Sequence, residues 1–173
     1  LDTFIRAVQF VSRVAGVVAA LLIALAVIVI CEMVVERYGL GHTTIWQIDV
    51  VTYSIIAATF VGSPYVLLHR GHVNVDILPL QLAPRPRFWL AIFTIGLSLA
   101  FCTVLFVVGA EYWYEAYSKN WRSDTVWRAR LWIPLLALPG GIGLLVLQYV
   151  VELLSVVTGR TPPFGITAER RPA

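Results

Sequence analysis

Four stretches of this chain are each long enough to cross a bilayer, and they constrain its fold more than anything else in it. A helix needs about 20 mainly apolar residues to span the hydrocarbon core. Windows at residues 14–34, 47–68, 88–110 and 131–154 meet that requirement. The first is interrupted only by Glu32 near its end, and the second carries Asp49 at its start. The third has no charge, and the fourth holds Glu152 near its end. Every charge therefore sits close to a boundary, where it avoids the several kcal/mol or more that a midplane charge costs. Inside hydrocarbon each backbone N–H and C=O must be satisfied within the segment, which favours helices. An all-α integral membrane protein with four transmembrane helices is expected. Composition agrees: hydrophobic residues make up 59% and charged residues 13%, against roughly 25% charged in soluble domains. The run Val14–Cys31 is long for a signal peptide, so the first window is expected to remain as a span.

The connections set the orientation. Arg6, Arg13, Arg70, Arg85, Arg87, Arg160, Arg170 and Arg171 fall on one side of the four windows. Arg37, Lys119, Arg122, Arg128 and Arg130 fall on the other. The side richer in Lys and Arg is expected to be cytoplasmic. That places both termini in the cytoplasm, with residues 155–173 as a mobile tail. The net charge of +3 is too small to suggest nucleic-acid binding. Trp46, Trp113, Trp121, Trp127 and Trp132 gather on the outer side, leaving Trp89 on the inner. They suit an interfacial belt or an anchor for an external protein.

Packing signals are also legible. Gly16, Ala20 and Ala24 form a small-residue series in the first window, as do Ala58 and Gly62 in the second. Small residues let helix backbones approach closely in lipid. Ser63–Pro64 should kink the second helix, and Pro134 with Pro139-Gly140-Gly141 should bend the fourth. Cys31 and Cys102 read as small apolar residues of packed helices. Glu32 with Glu36, and Glu111 with Glu115, read as solvated helix ends that Arg37 and Arg122 could balance.

Chemistry-bearing patterns are sparse. His69, His72 and Asp76 would share one helix face, but Gly71 disfavours a continuous helix, so no metal site is expected. The stretch from Val75 to Leu82 has the apolar character of a short interfacial helix between the second and third spans, with Asp76 as its N-cap. Haem held between histidines needs them inside the bundle. His42, His69 and His72 lie outside the windows. No nucleophile motif, phosphate loop or catalytic carboxylate pair appears, so no catalytic residue is expected. A membrane anchor subunit of a redox complex with a bound cofactor is the alternative reading. An independent channel is disfavoured by the lack of a polar span face.

The run Arg70-Gly71-His72-Val73-Asn74-Val75-Asp76 resembles the Arg-x-x-His-hydrophobic-x-Val-Asp signature of the small membrane subunit of tripartite ATP-independent periplasmic (TRAP) transporters, the DctQ family, although here only Gly71 separates Arg70 from His72. In the fourth window, Leu131-Trp132-Ile133-Pro134 and then Leu138-Pro139-Gly140-Gly141 resemble that family's Ile-Pro-Trp and later Pro-x-Gly pattern. Leu135 stands where the family commonly has tryptophan. The resemblance covers nearly the whole chain.

The resemblance implies an accessory subunit in a bacterial or archaeal inner membrane. Its expected partners are a large TRAP membrane subunit, a periplasmic substrate-binding protein that delivers an organic acid or similar solute, and the lipid bilayer. Sodium coupling is expected in the large subunit, with no cofactor in this chain. Arg70, Gly71, His72, Asp76, Pro134, Pro139 and Gly140 become candidates for contacting the large subunit or shaping the loop. Trp121, Arg122, Asp124 and Arg128 become candidates for docking the binding protein.

Overall fold

The computed structural model describes residues 2–69 and 84–158, and in them the four windows become helices. Helix α1 runs Asp2–Val34 and tightens into a π-helical turn, Val35–Gly39. Helix α2 is Gln47–Leu68 and α3 is Pro84–Ser118. The fourth span is divided into α4, Trp132–Leu135, and α5, Ala137–Val157. By length and apolar composition four units can cross a membrane: Thr3–Gly39, Gln47–Leu68, Arg85–Ser118 and Trp132–Val157. The expected interfacial helix, with Arg70, Gly71, His72 and Asp76, lies outside the described residues. So does the part of the expected tail beyond Thr158, whereas Ser155–Val157 still belong to α5.

The helices stand in a row. α1 lies against α2, α2 against α5, and α5 against α3, while α1 touches α5 more lightly. Two glycines explain how α5 sits between two neighbours. A Cβ on Gly141 would lie 2.3 Å from the Phe60 carbonyl oxygen of α2. A Cβ on Gly143 would lie 2.9 Å from the Phe106 ring of α3. Two residues are about 200° apart around a helix at 3.6 residues per turn, so the two bare backbones face opposite neighbours.

On α1 the buried positions are Val8, Ser12, Ala15, Ala19, Ala26 and Val29, with half-buried Leu22 in the gap. The steps alternate between four and three residues. That average of 3.5 is the period of a left-handed coiled-coil seam. The expected series Gly16, Ala20 and Ala24 is therefore corrected, because Ala20 and Ala24 point away from the bundle. Repeated steps of four drift by about 40° each around the axis, whereas alternating steps hold one face. Gly16 does contribute, since a Cβ there would meet the Tyr65 ring at 2.4 Å. Ala58 is buried, and a Cβ on Gly62 would lie 3.1 Å from that of Ala19, so the second small pair does face α1. Cys102 is buried as expected, but Cys31 is exposed on the outer face of α1.

The prolines resolve differently. α2 runs unbroken through Pro64, which is buried. Proline has no N–H for the carbonyl four residues back, which here is Phe60. The Ser63 hydroxyl donates to that carbonyl instead, at 2.8 Å. In the fourth span the interruption falls at Leu136, midway between Pro134 and Pro139. The third helix is longer than its apolar window. At 1.5 Å per residue α3 is about 52 Å long, well beyond a core of about 30 Å. Glu111–Ser118 therefore continue the helix past the membrane boundary, where Glu115 pairs with Lys119 one turn on.

Candidate functional site

The polar and aromatic residues converge at one end of the row, where α1 joins α2 and α3 joins α4. Because α3 extends to Ser118, the third connection shortens to residues 119–131 and folds back on itself. Ser123 N–H donates to the Ala129 carbonyl at 2.9 Å, and Leu131 N–H donates to Trp121 at 3.0 Å. Arg122 and Arg130 face each other across this antiparallel pairing. The turn closes where Arg128 N–H donates to the Thr125 carbonyl at 3.0 Å. Arg128 takes φ +50° there, a conformation that disfavours side chains with a Cβ.

One side-chain bond ties this hairpin to the bundle. The Thr125 hydroxyl donates to the Asp49 carboxylate at 2.5 Å. Asp49 is buried in the first turn of α2, where the helix dipole favours a negative charge. Beside it, Gln47 is 2% exposed. Its amide donates to Glu36 at 2.9 Å and reaches Glu32 at 3.5 Å. Glu32 and Glu36 are thus half-buried around a glutamine, not solvated helix ends. The residue that binds them came from α2, and a lone glutamine at a span boundary was the only trace of it in the sequence. Glu111 is exposed as expected, and Glu115 takes Lys119 as its partner instead of an arginine.

The aromatic residues form the hairpin's floor. Trp113 stacks on Tyr117 with centroids 5.7 Å apart, and Tyr117 meets Trp132 edge-on at 5.7 Å. The Trp113 indole N–H donates to the Trp132 carbonyl at 3.1 Å. Trp121 meets Tyr112 edge-on at 5.5 Å. These rings fix the end of α3 to the start of α4, with geometry worth about 0.5–1.5 kcal/mol per pair beyond burial.

Between the hairpin and the helices lies a groove of about 570 Å³. Leu22 of α1 and Val50, Tyr53, Ser54 and Ala57 of α2 form one wall. Ile133, Pro134 and Ala137 form the other. Arg122, Arg128 and Arg130 stand at its mouth with Trp127.

The sequence-predicted residues thus separate. Arg122 and Arg128 come together at the groove, and Asp124 is exposed on the hairpin. Trp121 is half-buried against Tyr112 and does not line the groove. Pro134 lines the groove, Pro139 is buried between helices, and Gly140 faces open space. Arg70, Gly71, His72 and Asp76 lie outside the described residues. The neighbouring His69 ends α2 with its ring 4.2 Å from that of Tyr65. At the opposite end of the bundle, Ser12 of α1 donates to the Gln148 side-chain oxygen of α5 at 3.1 Å. This buried pair joins two helices that otherwise touch only lightly, and the sequence reading missed it.

Comparison with known proteins gives a consistent result. Residues 26–159 match the model of a family described as tripartite ATP-independent periplasmic transporters, DctQ component. The C4-dicarboxylate TRAP transporter small permease protein DctQ of Vibrio cholerae serotype O1 (strain ATCC 39315 / El Tor Inaba N16961) is 22% identical over 179 residues. That similarity covers 91% of this chain and 77% of the relative. No solved structure matches.

Proposed function

The chain belongs to the DctQ component family of tripartite ATP-independent periplasmic transporters, and from that membership we propose that it is the accessory membrane subunit that scaffolds a separate, larger sodium-coupled transport subunit. It is a multi-pass small TRAP transporter subunit and works with other components of such a transporter. The observation that carries the scaffold reading is how the buried polar groups are used. Ser12 bonds Gln148, Gln47 bonds Glu36, and Asp49 bonds Thr125. Each bond joins one segment to another. A solute pathway would instead gather ionisable groups or broken helices near the midplane.

The row arrangement supports the same reading. α3 packs on α5 and leaves Phe93, Leu97, Phe101, Val104 and Val108 exposed along one stripe. This stripe and the open Gly140 face are the surfaces offered to the large subunit, with Arg70, His72 and Asp76 completing the contact from the second loop. Arg122, Asp124 and Arg128 are offered to the substrate-binding protein. Both termini lie in the cytoplasm in this reading. The solute is an organic acid, and a C4-dicarboxylate, named for the relative, is the first to test.

Reconstitution into proteoliposomes tests the proposal. This chain alone should give no solute uptake, and uptake should appear only with the large subunit, the binding protein and a sodium gradient. Uptake by this chain alone would overturn the reading, as would failure to recover a large membrane partner in mild detergent. Alanine at Arg70, His72 and Asp76 should weaken assembly or uptake. Charge reversal at Arg122, Asp124 and Arg128 should lower uptake that depends on the binding protein.

A further inference from the structure

We propose that the arginine-mouthed groove is a binding site for one anionic phospholipid, with its phosphate at Arg122, Arg128 and Arg130 and an acyl chain along Leu22, Tyr53 and Ala57.

Three properties of the groove point to this occupant. The first is its division by polarity. Its walls are mainly apolar side chains of four helices, with Ser54 as their one small hydroxyl, and its mouth carries three guanidiniums. None of these three forms an ion pair among the described residues. The adjacent carboxylate, Asp49, already accepts the Thr125 hydroxyl. Guanidinium groups are suited to bind phosphate oxygens in pairs. The second is depth. Ala57 is ten residues beyond Gln47, the first residue of α2, or about 15 Å along the axis. That is about half of a 30 Å hydrocarbon core, the reach of a chain within one leaflet. The third is the fixed position of the mouth. The hairpin pairing and the Thr125–Asp49 bond hold all three arginines over the apolar walls. Arg128 is held there at φ +50°, where an asparagine or glycine would be easier to place. A volume near 570 Å³ also lies within the range typical of ligand pockets. The inference does not depend on which side of the membrane this end faces, nor on the scaffold role.

The full chain would be reconstituted with equal phosphatidylglycerol and phosphatidylcholine. After mild extraction, retained lipid would be quantified by mass spectrometry. Wild type should retain phosphatidylglycerol in preference. The triple variant R122Q/R128Q/R130Q should lower that preference by roughly a hundredfold, since each basic group near a surface contributes roughly fivefold to anionic-lipid attraction. Ala57→Trp should reduce retention of both lipids by filling the wall. These arginines are exposed, so their loss leaves the helix contacts in place. Equal retention of the two lipids by wild type would overturn the proposal. So would a preference that survives the triple variant. In the assembled transporter, benzoylphenylalanine replacing Ile133 should crosslink to lipid acyl chain. A crosslink to another polypeptide instead would assign the groove to a protein partner and overturn the lipid site.

Discussion

The Phe60 carbonyl shows how single residues set the distance between helices. Pro64 removes its usual donor, Ser63 supplies a hydroxyl, and Gly141 brings a bare backbone against it. Carbonyls near Cα–H groups recur at close helix interfaces as weak hydrogen bonds. The neighbouring Gly140 meets nothing within 4 Å. Two adjacent glycines therefore make opposite predictions. Gly140→Ala should stabilise the protein by about 0.5–1 kcal/mol, because alanine has less backbone freedom to lose in a helix. Gly141→Ala gains the same term but drives a methyl onto the Phe60 backbone. Overpacking of this kind costs about 1–3 kcal/mol, so a net loss is expected. Thermal unfolding in detergent would compare the two variants side by side. Equal effects would mean that α2 and α5 do not approach at Gly141.

At the scale of elements, the hairpin at residues 119–131 depends on one long-range bond. Thr125 and Asp49 are 76 residues apart, and no other side-chain hydrogen bond described here links the hairpin to α2. Hydrogen bonds to charged groups contribute about 1.5–3 kcal/mol. Thr125→Val should release the turn and speed tryptic cleavage at Arg122, Arg128 and Arg130 by about tenfold, which corresponds to the lower end of that range. A limited digest followed over time measures this, and unchanged cleavage would leave the aromatic floor as the sole anchor. The elements were largely legible beforehand because a 20-residue apolar run admits few alternatives in lipid. α2 appeared at its expected bounds, while α3 overran its window to Ser118. Hydropathy ends where charge begins, but a helix continues as long as local pairs such as Glu115–Lys119 support it. The site was less legible for the opposite reason. Arg122 and Arg128 were recognisable as an exposed basic loop, but their placement over Tyr53 and Ala57 depends on tertiary folding. Gln47 and Gln148 each stood alone in sequence, and their partners come from other helices.

At the scale of the whole molecule, two distributions bear on orientation, and they can be tested together. Lys and Arg favour the side of the termini and the second loop, and the tryptophans favour the other. The structure places the tryptophan-rich hairpin and the α1–α2 connection at one end of the row, opposite Arg6 and Arg85 near the starts of α1 and α3. Basic residues near span ends are held back from crossing the membrane, so the hairpin end should face outward. Val126 is 83% exposed at the hairpin and makes a suitable reporter. With Cys31 and Cys102 replaced by serine, Val126→Cys in intact cells should react with a membrane-impermeant maleimide. Arg6→Cys in the same background should react only after the cells are opened. The reverse pattern would invert the molecule. It would also put the hairpin out of reach of a periplasmic partner, which would remove the docking role proposed for Arg122, Asp124 and Arg128. The phospholipid groove would survive that inversion, because its charge and depth are properties of the bundle end and not of the compartment it faces.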